Sequence, residues 1–289
     1  MPRCLIVYFS QSGTTARVAE SIAAGLHSSD YEVDLFNING SPPPDFGGYD
    51  LLGIGSPVYY YRPPFNVSDY LRSMPVIRGL PVFVFMMYGT YRFDTGNRIR
   101  RALAGKGARE VGYFHAHGAD LYPGYLKEGY LFSPGYPTEE ELSQAEEFGR
   151  HVAARVEGGE YIMAEADRPP PPIYRFERFA LGRWFFRNIY SRLFKADREK
   201  CTACGVCIQL CPSGNIVEGR GRRPVWGRNC LLCFTCQVQC PEEAVIWRLG
   251  WTLMRPFTIY NARSAARDAS VDCSRIDPKS WLRVARGEE

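Results

Sequence analysis

Residues 3–26 read RCLIVYFSQSGTTARVAESIAAGL and decide the fold of the first half of the chain. The run opens with a short apolar, β-rich segment and continues through a Ser/Thr/Gly loop. Beyond the loop, apolar residues recur at intervals of three and four: Val18, Ala19, Ile22, Ala23 and Leu26. Such a stripe lays a helix on a sheet. The run therefore predicts a strand, a tight loop and a helix.

The same alternation of strand and helix continues to about residue 157. Further β-rich runs include YEVDLFNI, YDLLGIGS, LPVFVFMMYG and REVGYFHAHG, with helical patterns between them. Strands that alternate with helices are typical of a parallel sheet covered on both faces. Thr138 and Glu141 have the spacing of a capping box and predict the start of the last of these helices. The fold class is thus α/β, with a doubly wound parallel sheet.

Two cysteine runs in the second half share one pattern, C-x2-C-x2-C-x3-C-P. Residues 201–212 read CTACGVCIQLCP, and residues 230–241 read CLLCFTCQVQCP. This spacing is the signature of bacterial ferredoxins with two 4Fe-4S clusters, in which the fourth cysteine of each run ligates the other cluster. The predicted ligands are Cys201, Cys204, Cys207 and Cys240 for cluster I, and Cys211, Cys230, Cys233 and Cys236 for cluster II.

Zinc is the alternative for clustered cysteines, because paired C-x2-C knuckles bind it. Four thiolates suffice for one zinc ion, however, and the third cysteine and the proline of each run would then have no role. The pattern favours iron-sulfur clusters. Cys4 and Cys273 lie outside the two runs and are interpreted as ordinary thiols.

The loop after the first predicted strand supplies hydroxyl groups and backbone amides at the start of a helix. Helix N-termini favour phosphate because their amide hydrogens are unpaired and the helix dipole is positive there. The loop lacks the lysine of a nucleotide triphosphate-binding loop, so a phosphomonoester is the better ligand. The candidate phosphate-binding residues are Ser10, Gln11, Ser12, Gly13, Thr14 and Thr15.

Two later loops follow strands at the edge of the sheet where doubly wound folds bind ligands. Each combines tyrosines with a glycine turn, so that an aromatic ring can stack on a planar ligand while backbone groups bond its edge. The first loop supplies Ser56, Pro57, Val58, Tyr59 and Tyr60, and the second supplies Tyr88, Gly89, Thr90 and Tyr91. No dinucleotide fingerprint is present.

These motifs together resemble the single-chain flavodoxin-ferredoxin fusions. SQSGTT, GSPVY and YGTY with a following GN are similar to the phosphate loop and the two flavin-ring loops of flavodoxins, and the cysteine runs match the ferredoxin pattern without departure. The resemblance covers most of residues 1–248. It implies a flavodoxin-like sheet followed by a small α+β ferredoxin domain. It also implies FMN, with its phosphate on residues 10–15 and its ring between the loops of Tyr59 and Tyr91.

Four segments are predicted: a flavodoxin-like FMN-binding domain at 1–157, a linker and amphipathic helix at 158–195, a ferredoxin domain at 196–248, and a tail at 249–289 that packs on the domains. Pro169 to Pro172 form the stiff part of the linker. The helix after them would place Phe176, Ala180, Leu181, Trp184, Phe185, Ile189 and Leu193 on one broad face. Two interpretations stay open for residues 173–194, interdomain packing and peripheral contact with a membrane; packing is favoured because arginines surround the helix.

Charge is divided unevenly along the chain. Residues 1–160 contain 14 Lys and Arg against 18 Asp and Glu, and residues 161–289 contain 21 against 13. The basic excess is scattered arginine around the cysteines, where it can offset anionic clusters, and nucleic acid is not expected as a partner. No run approaches the roughly 20 apolar residues of a membrane span, and the N-terminus reads as a strand and not a signal peptide. The expected compartment is the cytoplasm, where thiols stay reduced.

Three functional hypotheses follow. The first is an electron carrier that relays low-potential electrons between two 4Fe-4S clusters, FMN and a redox partner protein. The second is a ferredoxin-type reductase in which FMN reduces a small organic substrate near residues 115–138, where His115 and His117 would face the same side of a strand. The third is a structural or nucleic-acid-binding protein whose clusters only stabilise the fold. No catalytic residue is predicted.

Overall fold

The computed structural model describes residues 1–39, 45–162 and 164–288. The chain divides into two compact units that are each discontinuous. The first unit contains residues 1–119 and 135–175, and the second contains residues 120–134 and 176–289.

Strands and helices alternate up to residue 157, and most of the elements beyond it are shorter, with the exception of α10. The elements up to residue 157 are β1 (Arg3–Tyr8), α1 (Thr14–His27), β2 (Glu32–Asn37), β3 (Leu51–Pro57), α2 (Phe65–Ser73), β4 (Pro81–Tyr88), α3 (Thr95–Ala104), β5 (Arg109–His117), α4 (Pro123–Lys127), β6 (Tyr130–Phe132) and α5 (Glu139–Glu157). Beyond residue 157 they are α6 (Pro172–Ala180), α7 (Arg183–Asn188), β7 (Lys195–Ala196), α8 (Val206–Gln209), β8 (Ile216–Glu218), β9 (Pro224–Trp226), α9 (Thr235–Val238), β10 (Val245–Ile246), α10 (Arg248–Ala265), β11 (Cys273–Arg275) and α11 (Trp281–Arg286).

The first unit is built on a five-stranded parallel sheet in the order β2-β1-β3-β4-β5. The central strands β3 and β4 are buried almost from end to end, as expected for a sheet covered on both faces. All five apolar stripe residues of α1 are buried, and α1 and α5 share one core with residues of β1 and β4. The predicted α/β fold class is confirmed, with a flavodoxin-like strand order.

The glycines of β3 make room for aromatic rings from β4. Gly53 pairs with Phe83 and Gly55 pairs with Phe85 across the two strands. A Cβ atom on either glycine would collide with the ring of its partner. The GIG sequence in this strand is therefore a packing feature of the sheet, which agrees with the lack of a dinucleotide fingerprint.

Helices α1 and α5 pack at very close range. Cβ atoms added at Gly25 and Gly149 would meet the backbone oxygens of Glu146 and Ile22 respectively.

The predicted capping box at the start of α5 is confirmed: Thr138 Oγ1 accepts from the Glu141 amide at 3.2 Å, and the Glu141 carboxylate accepts from the Thr138 amide at 3.4 Å.

The second unit has short strands and, apart from the 18-residue helix α10, short helices. Three two-stranded antiparallel pairs, β7 with β10, β8 with β9 and β6 with β11, are its only sheets within the described residues. A buried aromatic group lies among them: Phe194 stacks on Trp247, and Phe234 stacks on Trp251. Trp247 also donates its indole N–H to Tyr190 O at 2.9 Å.

The observed units differ from the predicted segments in two respects, the first of which is that the predicted linker of residues 158–195 is divided between the two units after residue 175. The prediction assigned residues 120–134 to the first domain, whereas they group with the second unit. The cause is backbone pairing: β6 forms an antiparallel ladder with β11, and Ser133 N donates to Asp272 O at 2.9 Å. The tail from residue 249 thus packs within the second unit, through β11 and through α11 against α4 and α9.

The predicted helix over residues 176–193 is also different from the structure. It is broken into α6 and α7 because Gly182 is extended, with φ −69° and ψ 162°. The break changes the helical phase, so that Leu181 and Phe186 are buried while Phe176 and Trp184 are exposed. The single apolar face predicted for this segment does not form.

No helix in the described part of the chain is long and apolar enough to cross a membrane.

Replacing Gly149 with alanine should destabilise the first unit by about 1–3 kcal/mol, because the new methyl group would force α5 away from α1. Gly158→Ala is the matched control, since Gly158 has φ −71° and its nearest neighbour would lie 3.4 Å from the added Cβ. Urea unfolding followed by circular dichroism measures both. Equal midpoints for the two variants would contradict the close packing of these helices.

Candidate functional site

Three loops meet at the carboxyl edge of the first unit's sheet. They follow β1, β3 and β4, which are neighbours in the sheet and run parallel. The order reverses direction between β1 and β3, and ligands of doubly wound folds bind outside the sheet at such a reversal. The structure therefore brings the three predicted loops to the edge where a ligand is expected.

The loop after β1 is anchored through Ser10, which is buried. The Ser10 carbonyl accepts hydrogen bonds from the side-chain amides of Asn37 at 3.1 Å and Asn39 at 2.8 Å. Its hydroxyl oxygen accepts from the Ala16 amide at 3.2 Å, which ties the loop to the first turn of α1. Ser10 thus holds the loop in place, and both asparagines were missed in the sequence because they follow a different strand.

Ser12 and Gly13 are exposed at the start of α1, and Gly13 has φ +87°. This left-handed conformation turns the chain into the helix and leaves the first-turn amides directed at solvent. Ser12 and Thr14 place their hydroxyl oxygens 3.3 Å apart, while Thr15 is buried. The exposed part of the loop combines hydroxyl groups with amides, which suits a phosphate.

Gln11 connects the first loop to the second. Its Oε1 accepts a hydrogen bond of 2.6 Å from the Tyr59 hydroxyl. Its Nε2 is buried and has no hydrogen-bond partner among the described residues. A buried amide donor without a partner is costly in a folded protein, so this atom suits a polar ligand group at the loop.

The second loop is a tight turn after β3. Tyr59 and Arg62 exchange backbone hydrogen bonds of 2.9 and 3.1 Å, and the two residues between them have positive φ angles of 50° and 60°. Ser56 is fully buried and donates to Pro57 O at 2.8 Å, and Val58 N donates to Met87 O at 2.9 Å. Ser56, Pro57 and Val58 therefore form the base of the loop, while Tyr59 and Tyr60 are half-buried.

The third loop joins an aromatic group that sequence analysis did not find. Tyr91 stacks on Phe93 with ring centroids 5.2 Å apart, and Tyr174 lies 5.1 Å from Phe93. Tyr61, from the second loop, lies 4.9 Å from Tyr174. Tyr174 is distant in sequence and follows the proline run, so no local pattern identifies it. Tyr88, Gly89 and Thr90 are half-buried.

His115 and His117 lie on one face of β5, as predicted, and both are next to Tyr88. The Tyr88 ring is 6.0 Å from His115 and 4.5 Å from His117. His117 Nδ1 is 2.9 Å from the carboxylate of Glu141. Burial, together with the nearby charge of Arg92, lowers the pKa of His115 to about 4, so this imidazole is neutral at pH 7.

Asp167 organises the polar groups beside these histidines. Its buried carboxylate accepts 2.6 Å from the Tyr113 hydroxyl and 3.0 Å from Arg92 Nε. Asn97 makes two further hydrogen bonds with the backbone of Asp167, at 2.8 and 3.0 Å. These hydrogen bonds fix residue 167 and the side chains around His115. We therefore interpret Asp167 and its hydrogen-bond partners as structural.

The residues at the sheet edge fit FMN. The loop after β1 offers exposed amides and hydroxyl groups, and Gln11 Nε2 supplies a buried donor. The second and third loops contribute aromatic rings on either side of the same edge. Placement of the flavin ring between Tyr59 and Tyr91 stays a prediction.

In the second unit, four cysteines line one pocket. They are Cys201, Cys204, Cys207 and Cys240, the predicted ligands of cluster I. Burial, together with the other three sulfur atoms close by, raises the pKa of the Cys207 thiol to about 11. The fourth cysteine of the second run therefore lies beside the first three of the first run.

The remaining four cysteines form a second group. Burial raises the pKa of Cys236, and the sulfur atoms of Cys233, Cys230 and Cys211 raise it further. Cys211, the fourth cysteine of the first run, thus joins the first three cysteines of the second run. Among the described residues no three His, Cys, Asp or Glu side chains form a site for a single metal ion.

Backbone amides already point at several of these sulfur atoms. Asn215 N, Leu232 N and Ala244 N lie 3.3 Å from the sulfur atoms of Cys211, Cys230 and Cys240 respectively. Amide donors of this kind stabilise cluster-bound thiolates and raise the reduction potential. The donor set and the pocket both fit iron-sulfur clusters.

Two known protein families match parts of the chain. Residues 5–126 match the flavodoxin domain, and residues 194–217 match the 4Fe-4S binding domain. An uncharacterized ferredoxin of Methanocaldococcus jannaschii is 33% identical over 54 residues, which are 17% of this chain and 70% of that protein. An uncharacterized protein of the same organism is 26% identical over 153 residues, 52% of this chain and 97% of that protein.

Solved structures similar to the chain include flavodoxins and flavodiiron proteins. A flavodoxin from the domain Archaea is 19% identical and covers 54% of this chain and 99% of its own, with a TM-score of 0.42. Oxidised flavodoxin 2 from Bacillus cereus is 23% identical and covers 53% and 99%, with a TM-score of 0.42.

The chain belongs to the flavodoxin-ferredoxin fusions, in which a flavodoxin domain is followed by a 4Fe-4S ferredoxin-type domain. The two domains indicate electron transfer. The flavodoxin domain implies FMN, and the 4Fe-4S domain implies an iron-sulfur cluster and a redox partner.

Replacing Gly13 with alanine should weaken FMN binding about tenfold, because a side chain in the left-handed region costs about 1–2 kcal/mol and shifts the loop away from its binding conformation. No atom lies within 4 Å of the added Cβ, so the effect isolates backbone strain. Titration of the flavin-free protein with FMN, followed by flavin fluorescence, measures the dissociation constant.

Gly79→Ala is the matched control. Gly79 has φ +77° and equally open surroundings, but it precedes β4 at the opposite edge of the sheet. If the two variants bind FMN equally well, the phosphate does not lie on residues 10–15.

Proposed function

We propose that the protein relays low-potential electrons between two 4Fe-4S clusters, FMN and a redox partner protein. The observation that carries this proposal is the sorting of eight cysteines into two groups of four. In each group, the first three cysteines of one run lie beside the fourth cysteine of the other run. The match to the 4Fe-4S family covers only the first run, so the second cluster rests on this sorting.

When bound, FMN can exchange one or two electrons, and each cluster can exchange one. The covalent link between the two domains makes transfer between them intramolecular, at an effective concentration set by the chain and not by diffusion. A fusion of this kind suits a carrier that connects one-electron and two-electron partners.

Hydrogen bonds within the chain fix the backbone that carries the proposed cluster ligands. Arg286, near the end of the described chain, donates 2.8 Å hydrogen bonds to the carbonyls of Val238 and Cys240. Cys240 belongs to the first group of thiols, so the tail fixes the backbone that carries one of its ligands. Asn215 N supports the second group through its 3.3 Å contact with Cys211.

At the flavin loops, side chains hold the backbone and exclude water. Asn37 and Asn39 fix the loop after β1, and the hydrogen bond from Tyr59 to Gln11 joins that loop to the next. The rings of Tyr91, Phe93 and Tyr174 form an apolar group beside them. These residues are suited to orienting a bound flavin and shielding one side of it.

The reductase hypothesis placed a small substrate near residues 115–138. Most of this segment is used for packing: Tyr122 and Tyr125 contact each other at 5.1 Å, and Tyr125 contacts Phe132 at 5.1 Å. The Tyr122 hydroxyl is 3.4 Å from Thr258 Oγ1. The relay is therefore the function that the described residues of this segment favour.

Protein purified without oxygen should contain about eight irons, an equal amount of acid-labile sulfide and about one FMN per chain. Reductive titration should consume about four electrons per chain, two in FMN and one in each cluster. Eight irons without flavin, even after FMN is added, would remove the flavin from the relay. Four irons per chain would mean that the relay contains a single cluster.

Cys240→Ser should lower the iron content from about eight to about four and the titration to about three electrons, because Cys240 is assigned to cluster I alone. Cys273→Ser is the matched control, since Cys273 lies in β11 outside both groups and should retain all of the iron. Iron analysis and electron paramagnetic resonance of the reduced protein measure the outcome. Unchanged iron in Cys240→Ser would contradict the assigned ligand sets.

A further inference from the structure

The second unit presents large aromatic side chains to solvent on α6 and α7. The exposed fractions are 58% for Phe176, 70% for Phe179 and 64% for Trp184. Phe179 and Trp184 both contact Phe185, with ring centroids 6.0 and 5.1 Å apart, so the rings of residues 179, 184 and 185 form one group. Aromatic rings this large are seldom left in water without a role.

The rings face outward because the opposite face of the same segment is fixed in the core. Leu181 and Phe186 are buried. Glu177 is also buried, and its carboxylate accepts hydrogen bonds of 2.9 and 2.8 Å from Asn261 on α10. This buried pair holds α6 against α10, so the segment cannot rotate to hide Phe176 or Phe179 without breaking it.

Helix α10 adds further exposed apolar side chains. Leu249 is 57% exposed, Leu253 46% and Tyr260 51%. They recur at intervals of four and seven residues and so follow one face of the helix. Met254 and Thr258, on its other side, are buried. We call residues 176–195 and 248–267 together the aromatic-basic surface.

The charges of this surface are almost all positive. The basic residues are Arg178, Arg183, Arg187, Arg192, Lys195, Arg248, Arg255, Arg263 and Arg267. Glu177 is the single acidic residue of the two stretches, and it is buried against Asn261. Arg255 is paired with Glu128 at 2.8 Å. Arg187, Arg192, Arg248 and Arg263 are exposed.

The chemistry of the surface decides which partner it fits. Arginine and lysine only donate hydrogen bonds, so the complementary surface must offer acceptors and negative charge. Lipid phosphates offer acceptors and negative charge, and the bilayer beneath them accommodates apolar side chains. Phenylalanine, tryptophan and leucine on amphipathic helices, flanked by arginine, are the composition of helices that lie in a membrane interface.

We propose that the aromatic-basic surface docks the protein on an anionic lipid bilayer, with its exposed rings at the boundary of headgroups and acyl chains and its arginines on lipid phosphates. This goes beyond the proposed electron relay and does not depend on it. Docking would place the ferredoxin domain at a membrane surface and so favour a redox partner embedded in that membrane. Sequence analysis favoured interdomain packing for residues 173–194, but the exposure of Phe176, Phe179 and Trp184 favours the membrane interpretation.

The test is flotation of the holoprotein with lipid vesicles. One set contains phosphatidylcholine alone, and the other contains phosphatidylcholine with about one third phosphatidylglycerol, at low and at physiological salt. The expected result is binding to the anionic vesicles that weakens with salt, together with a blue shift of tryptophan emission. Absence of binding to both sets, or equal binding to both, would overturn the proposal.

The double variant F179S/W184S should reduce binding to the anionic vesicles by about tenfold or more, because it removes two exposed rings from the surface. R187E/R248E should abolish the preference for anionic vesicles. The matched control is V217S/V225S, which replaces two apolar side chains that are 55% and 50% exposed on the β8–β9 hairpin. The control should bind as the unmodified protein does.

The iron content, the flavin content and the circular dichroism spectrum establish that each variant is folded before its vesicle binding is compared. Light scattering at several protein concentrations gives the oligomeric state. If the protein dimerises and F179S/W184S makes it monomeric without any effect on vesicles, the surface joins two copies of the chain and the membrane proposal is wrong.

Discussion

The gathering of eight thiols into two groups of four, the proposed iron ligands, is the constraint on which the cysteine-containing part of the second unit depends. Between residues 195 and 246 the helices are four residues long and the strands two or three. Such elements form few backbone hydrogen bonds and cannot offset the conformational entropy of the chain by themselves. Because the cysteines of each run serve both groups, neither half of this region can form without the other. Under the proposed function, iron binding and folding of this region are linked, as in other small metal-bound domains.

The first unit obeys a different constraint, the geometry of a buried parallel sheet. Its core needs no metal, since the apolar faces of α1 and α5 and the strands β1, β3 and β4 provide it. What the sheet provides for function is a fixed edge: three loops leave neighbouring strands at the same end. Hydrogen bonds then hold the loops in place at this edge. The loop after β1 is bonded to Asn37 and Asn39, and Gln11 joins it to the loop after β3. The first unit is thus held by apolar packing alone, whereas the second combines a smaller apolar core with the two groups of thiols.

Local patterns in the sequence were sufficient for much of this architecture. Cysteine spacing, strand and helix alternation, the α5 capping box and the loop positions all depend on residues close together in the chain. Tyr174 and Asp167 could not be found in this way, because they join the site by contacts with Phe93 and Arg92 across more than seventy residues. The break at Gly182 was missed for another reason. Apolar residues on both sides of it fit one helical period, and only the buried pair of Glu177 and Asn261 shows which face turns inward.

The pairing of β6 with β11 has a consequence for the order in which the chain folds during synthesis. All five strands of the parallel sheet and α5 have been made by residue 157, whereas Tyr130–Phe132 must wait for Cys273–Arg275, about 140 residues later. Until then β6 lacks its partner strand, and both cysteine runs, which precede β11 in the chain, have been synthesised. The second unit is therefore completed last, and its final strand closes only around a region in which all eight cysteines are already available to iron.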